Sequence, residues 1–144
     1  MTLRIPAVLD AYARVLAWGG LLLAIAALAS DPRFLDAPGA TLVLIGAVTL
    51  LRMFPVRLSK YSYLTQSVVP MAVGALAVGP AAAVAALFVG TMAADTLWLR
   101  KPQWVGLINA GREVIAFVTA FGVYAAVSVA SGRPSLSADI FPAV

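Results

Sequence analysis

The chain has 144 residues, 62% of them apolar and 11% charged, with a net charge of +4 and a mean hydropathy of +0.99. Soluble domains run at roughly 45–50% apolar and about 25% charged, and a chain this short leaves much of its surface outside any core, so a water-soluble enzyme and a disordered chain are excluded and lipid is the expected solvent. With no cysteine and no histidine, disulfides, thiolate metal sites, histidine-ligated haem or chlorophyll, and Cys–His or Ser–His catalysis are excluded as well.

Five apolar segments follow in chain order. The first runs from Leu9 to Ala29 and stops at Asp31-Pro32. Arg4 ahead of a run ending Ala27-Leu28-Ala29 resembles a secretory signal, but the segment is read as a retained first helix. The second runs from Gly39 to Phe54, where Pro55 ends it. The third, Leu64 to Val78, would rise only about 22 Å as a helix, short of the roughly 20 residues that a span needs. Pro70 inside it reads as a tolerated kink. Gly79-Pro80 then supplies a hairpin turn, because Gly leaves the helix freely and Pro opens the next one. The fourth segment is Pro80 to Trp98 and the fifth Trp104 to Ala130. Residues 131–144 are either a tail on the outer surface or the start of a further helix, since Ile140-Phe141-Pro142-Ala143-Val144 turns apolar again. The expected fold is an all-α integral membrane protein, a single domain over residues 1–144. It is a bundle of about five transmembrane helices, the third short and hairpinned to the fourth.

Lys and Arg set the orientation. With a cytoplasmic N-terminus, Arg4, Arg14, Arg52, Arg57, Lys60, Arg100, Lys101 and Arg112 lie on or toward the inside, and only Arg33 and Arg133 lie outside. Tyr61, Tyr63, Trp98 and Trp104 fall at the same inner interface, where amphipathic rings settle. The linker Arg52–Tyr63 is expected on the anionic inner leaflet. The reading is a bacterial inner membrane protein with its C-terminus in the periplasm. Basic residues spread between apolar runs are topology signals and not a nucleic-acid surface.

Helices in lipid associate through close backbone approach. Ala82, Ala86, Gly90 and Ala94 form one small-residue stripe on the fourth segment. Gly106/Ala110 and Gly122/Ala126/Ala130 repeat the spacing on the fifth, and Gly20/Ala24 on the first. Such stripes predict tightly packed helix pairs, within the chain or against another subunit.

The polar residues inside these segments are the candidate site. The six carboxylates are Asp10, Asp31, Asp36, Asp95, Glu113 and Asp139, with no spacing that would hold a hard cation. Asn109, Arg112 and Glu113 share a broad helical face. Arg112 and Glu113, adjacent in sequence, point apart and need other partners. Asp95 stands near the end of the fourth segment, with Thr91 one turn deeper, and Arg112 is long enough to reach toward it. One reading makes this cluster a ligand, ion or proton path. The other makes Asp95–Arg112 an ion pair locking a hairpin, with Glu113 held by Asn109, Arg14 or Arg52. Trp18 reads as a packing or lipid-facing ring.

From Phe54 to Ala126 the sequence resembles the N-terminal multi-helix membrane region found before HD-GYP or diguanylate-cyclase domains, which is similar in layout to S-components of energy-coupling-factor transporters. The residues that carry the resemblance are Phe54-Pro55-Val56 with the basic linker, Gly79-Pro80 before an alanine run, Asp95 near a helix end, and Asn109-Ala110 opening the next helix. The resemblance implies a sixth helix returning to the cytoplasm and a signalling domain, and this chain stops before both. Where such modules carry a neutral amide or small residue, this chain has Arg112.

The functional expectation is a non-catalytic multi-pass subunit that packs into a larger membrane complex, with lipid and other membrane subunits as partners and no nucleic acid. A photosynthetic or respiratory complex is a natural host. No enzyme activity, metal or cofactor is expected, and any pigment contact would lack a histidine ligand. The alternatives are a sensory membrane module and a small-molecule-binding transport subunit. The native absence of cysteine makes topology directly measurable. Lys60→Cys and Arg100→Cys are expected to react with an impermeant maleimide only from the cytoplasmic side, and Arg133→Cys only from the periplasmic side; the reverse pattern would contradict the orientation.

Overall fold

The computed structural model describes residues 7–54, 56–57, 63–64 and 66–131, with side chains for 7–54 and 66–131. These residues form helices, one short strand pair and brief connectors. The helices are α1 (Ala7–Ser30), α2 (Pro38–Met53), α3 (Val68–Ala77), α4 (Pro80–Trp98) and α5 (Gln103–Ala130). Of these, α1, α4 and α5 are long and apolar enough to cross a membrane, while α2 and α3 are shorter apolar helices. Between α2 and α3, β1 (Val56–Arg57) pairs antiparallel with β2 (Tyr63–Leu64). This corrects the expected third segment: Leu64 belongs to the strand pair, and the helix starts only at Val68. It also moves Pro70 into the first turn of α3, where a missing N–H costs little, so Pro70 makes no kink. The expected anchors Lys60 and Tyr61 and the tail 132–144 lie outside the described residues. Arg57 and Tyr63 are placed in the strand pair by their backbone alone.

α4 is the central helix and packs against α1, α2, α3 and α5. Its alanines make this possible, because a helix with almost no side-chain bulk can be surrounded closely. Ala81 through Leu87 are all buried. On one side Ala82 and Ala86 meet Leu44 and Val48 of α2. On the other, Ala83, Val84 and Leu87 pack with Ala24 of α1, Ala75 of α3, and Val114 and Phe117 of α5. A Cβ on Gly90 would stand 2.9 Å from Val48 Cγ1 and 3.0 Å from Ile45 O, so the expected stripe Ala82/Ala86/Gly90/Ala94 is the buried seam of the bundle. Gly106 and Ala110 are buried as well, with Gly106 facing Thr96 and Met92 of α4.

The closest approach lies between α1 and α5. A Cβ on Gly20 would overlap the backbone of Gly111, and one on Gly111 would overlap Leu16 O. α1 widens into a π turn at Val15–Gly19, which turns Leu16 O toward Gly111. The stripe Gly122/Ala126 forms no helix pair among the described residues of the chain. Both residues are exposed, and a Cβ on Gly122 would meet nothing within 4 Å.

The α3–α4 corner sits against a local ion pair. Gly79 has φ of 133°, open to glycine alone, and a Cβ there would meet Asp31 Oδ2 at 2.7 Å. Asp31 accepts from Arg33 Nε at 2.7 Å and Nη2 at 3.0 Å. The bonded guanidinium holds the Asp31 carboxyl below its ordinary range, against the opposing effect of burial. This stabilisation is complete above the ordinary carboxylate pKa and is lost as pH falls through the lowered value. Acid unfolding of Asp31→Asn is therefore expected to lack that low-pH component, seen by comparing the two unfolding curves. In thermal unfolding in detergent, Gly111→Val is expected to cost about 1–3 kcal/mol or more through overpacking. Gly122→Ala is expected to stay within about 0.5 kcal/mol of the parent.

Candidate functional site

The polar residues of α2, α4 and α5 converge at one end of the bundle. Asp95, fully buried, sits in a second π turn, Ala94–Trp98, at the end of α4. It is held from three directions. Arg52, in the last turn of α2, donates from Nε to Asp95 Oδ1 at 3.1 Å and from Nη2 to Oδ2 at 3.3 Å. Asn109, in the second turn of α5, donates to Oδ2 at 2.6 Å. Lys101 Nζ, from the α4–α5 turn, donates to Oδ1 at 3.1 Å. The fork of arginine matches both carboxylate oxygens at once. Four donors saturate the carboxylate, which is what burial of a charge requires.

The local chain explains how each donor arrives. Arg100 has φ of 49°, a left-handed conformation that ends α4 abruptly. The turn then folds Lys101 back, so that its N–H also donates to Asp95 O at 2.8 Å. Arg52 and Asp95 meet because they stand at matched positions. Counted from the prolines that open α2 and α4, Arg52 lies about 21 Å and Asp95 about 22 Å along their helices. Gly106, facing Asp95 Cβ at 3.7 Å, lets α5 come close enough for Asn109 to reach.

This geometry corrects the expected pairing. Asp95 does not pair with Arg112. The face of α5 turned toward α4 carries Ala110, Val114 and Phe117, and Arg112 points away from it with 56% of its side chain exposed. Arg112 Nη2 instead donates to its neighbour Glu113 Oε1 at 3.0 Å, so the two adjacent residues do meet. Glu113 also receives Arg52 Nη1 at 3.4 Å. Arg14 pairs with Asp10 at 2.8 Å on the surface of α1 and plays no part. Thr91 is buried, but its Oγ1 has no hydrogen-bond partner.

Sequence reading therefore placed Asp95, Asn109 and Glu113 in one cluster, but it missed Arg52 as the partner of Asp95 and Lys101 as the lid over it. The signal was available in the equal distance of Arg52 and Asp95 from Pro38 and Pro80. Two of the aromatic residues expected as anchors each meet a further ring at this end: Trp98 tilts against Phe54 at 6.5 Å and Trp104 against Trp18 at 6.4 Å. Trp98, Trp104 and Arg100 are exposed, as is Trp18.

Among the described residues no group of three His, Cys, Asp or Glu side chains could hold a metal ion. No protein-family profile, curated protein or solved structure matches the chain.

A double-mutant cycle tests the clasp. Arg52→Met and Asp95→Leu are each expected to destabilise the bundle by about 3–5 kcal/mol, because each strands a buried charge. The double substitution is expected to recover a large part of the loss. Additive losses in the thermal unfolding free energies would contradict the pairing.

Proposed function

We propose that this chain is a non-catalytic, multi-pass membrane subunit that packs into and stabilises a larger inner-membrane assembly, photosynthetic or respiratory complexes being the natural hosts. The observation that carries this reading is the saturation of Asp95. Its two oxygens accept four hydrogen bonds from Arg52, Asn109 and Lys101, so the most deeply buried ionisable group has no capacity left for a substrate or a proton relay. Ionisable groups spent on one another hold helices in register. The same reading places the Arg52–Asp95 end toward the cytoplasm, where the basic connectors lie, and leaves the apolar outer faces of α1 and α5 to lipid and neighbouring subunits.

One observation favours a second reading, a sensory module or a small-molecule-binding transport subunit. A cavity of about 390 Å³ opens between α1, α4 and α5, lined by Leu23, Ala27, Pro80, Val84, Phe117 and Phe121. Its chemistry would suit an apolar ligand. The resemblance to the membrane region of signalling proteins points the same way.

Purification from native membranes in mild detergent separates the readings. The subunit reading expects stoichiometric membrane partners that co-migrate with the chain. A monodisperse lone chain whose thermal midpoint rises with an apolar ligand would contradict it and favour the second reading.

A further inference from the structure

Arg112 joins the polar cluster at its outer edge, through its neighbour Glu113. Reading α5 as a membrane span with Trp104 at the inner interface, the rise from Trp104 to Arg112 is about 12 Å, well inside a hydrocarbon core of about 30 Å. Its side chain is 56% exposed. It does not stretch toward the headgroups either: Nη2 is tied to Glu113 Oε1 at 3.0 Å, and Glu113 is in turn tied to Arg52. A lipid-facing arginine held at that depth is costly.

The charge count sharpens the point. The cluster holds three cations, Arg52, Lys101 and Arg112, against two carboxylates, Asp95 and Glu113. Asp95 is saturated, and Glu113 is shared by two guanidinium groups. The cluster carries one net positive charge, and Arg112 is its most exposed cation, at 56% against 37% for Lys101 and 7% for Arg52. The face that carries it continues along α5 through Ala116, Thr119 and Val123, all exposed. Their spacing keeps them on one side of the helix. Gly111 and Ile115 lie on one flank of this face and pack toward Leu16 and Gly19 of α1.

Resting on the subunit reading above, we infer that this face of α5 docks a transmembrane helix of a different chain that presents a carboxylate to Arg112. Charge complementarity selects the occupant. A lipid phosphate stays at the headgroup level, about 12 Å from the Arg112 backbone, farther than the tethered side chain reaches. A second copy related by a two-fold axis along this face would bring two Arg112 side chains together at one depth. Asp10 and Asp31, the carboxylates nearest the helix ends of α1, are already paired to Arg14 and Arg33. The small side chains of Ala116 and Thr119 beside the arginine let a neighbouring backbone approach closely.

Photocrosslinking in native membranes tests this with the full chain. A photoreactive residue is placed at Thr119, and in a separate variant at Leu22 on the exposed face of α1. The Thr119 probe is expected to crosslink an apolar segment of another protein that contains an Asp or Glu. Arg112→Leu is expected to lower that yield about tenfold or more, as loss of a desolvated charge pair would, while Arg112→Lys retains part of it. Arg112→Glu combined with an Arg at the partner's carboxylate is expected to restore the crosslink. Because Arg112 is exposed and touches none of the Asp95 donors, Arg112→Leu and Arg112→Lys should keep a thermal midpoint close to the parent's, which separates lost docking from lost folding. Crosslinks to lipid alone, to a second copy, to a segment without a carboxylate, or with a yield indifferent to Arg112→Leu would overturn the inference. Should the chain run in an assembly that only the Leu22 probe reaches, this inference fails and the subunit reading stands. Should it run alone, both fail.

Discussion

A carboxylate removed from water is tolerable only when protein groups meet both its charge and its lone pairs. In this chain that constraint falls on Asp95, and much of the architecture follows from it. The arginine that neutralises it comes from α2, the amide from α5 and the ammonium group from the turn between α4 and α5. Three elements are thereby fixed in rotation and in depth at one end of the bundle. Alanine packing along α4 could not do this alone, because a smooth alanine surface tolerates sliding and rotation, whereas a bidentate guanidinium does not.

The remaining structure makes room for that contact. Proline at the head of α2 and of α4 starts both helices at defined points, which sets Arg52 and Asp95 level with each other. Small residues bring the backbones together: Gly90 against Val48, Gly106 beside Asp95 and Gly111 against Leu16. The two π turns fall beside such contacts, at Val15–Gly19 against Gly111 and at Ala94–Trp98 against Gly106. A widened turn re-aims side chains and carbonyls without ending the helix. At the far end, Asp31–Arg33 sits against Gly79 at the α3–α4 corner. The bundle is therefore fastened by ionic contacts between helices at the Asp95 end and by alanine and glycine along its length, with the local Asp31–Arg33 pair set against the corner at the other end.

Much of this was legible in the residues. Gly79-Pro80 marks the hairpin, the apolar runs mark the long helices, and the shortness of the third segment is visible by counting. The stripe on α4 is read correctly as a seam because all its members are small and the helix has few other ways to pack. The same pattern at Gly122 and Ala126 meets no described helix of this chain, since small residues recur by composition in an alanine-rich chain and spacing does not say which face meets a neighbour within it. Arg112 misled for a related reason. It stands at the start of the next helix, within apparent reach of Asp95, but rotation about α5 turns it outward. Arg52, farther away along the chain, becomes the partner through helix depth, which no local pattern encodes. The strand pair before α3 is hidden because two residues per strand leave no periodicity to detect.

The account depends on Arg52 and Asp95 being in contact inside a bilayer. Solid-state NMR dipolar recoupling between ¹⁵N-labelled Arg52 and ¹³C-labelled Asp95, recorded on the full chain in lipid membranes, measures that separation directly. A guanidinium nitrogen to carboxylate carbon distance of about 4 Å, the value set by direct hydrogen bonding, is the predicted result. A distance beyond about 6 Å, outside hydrogen-bond contact, would contradict the account.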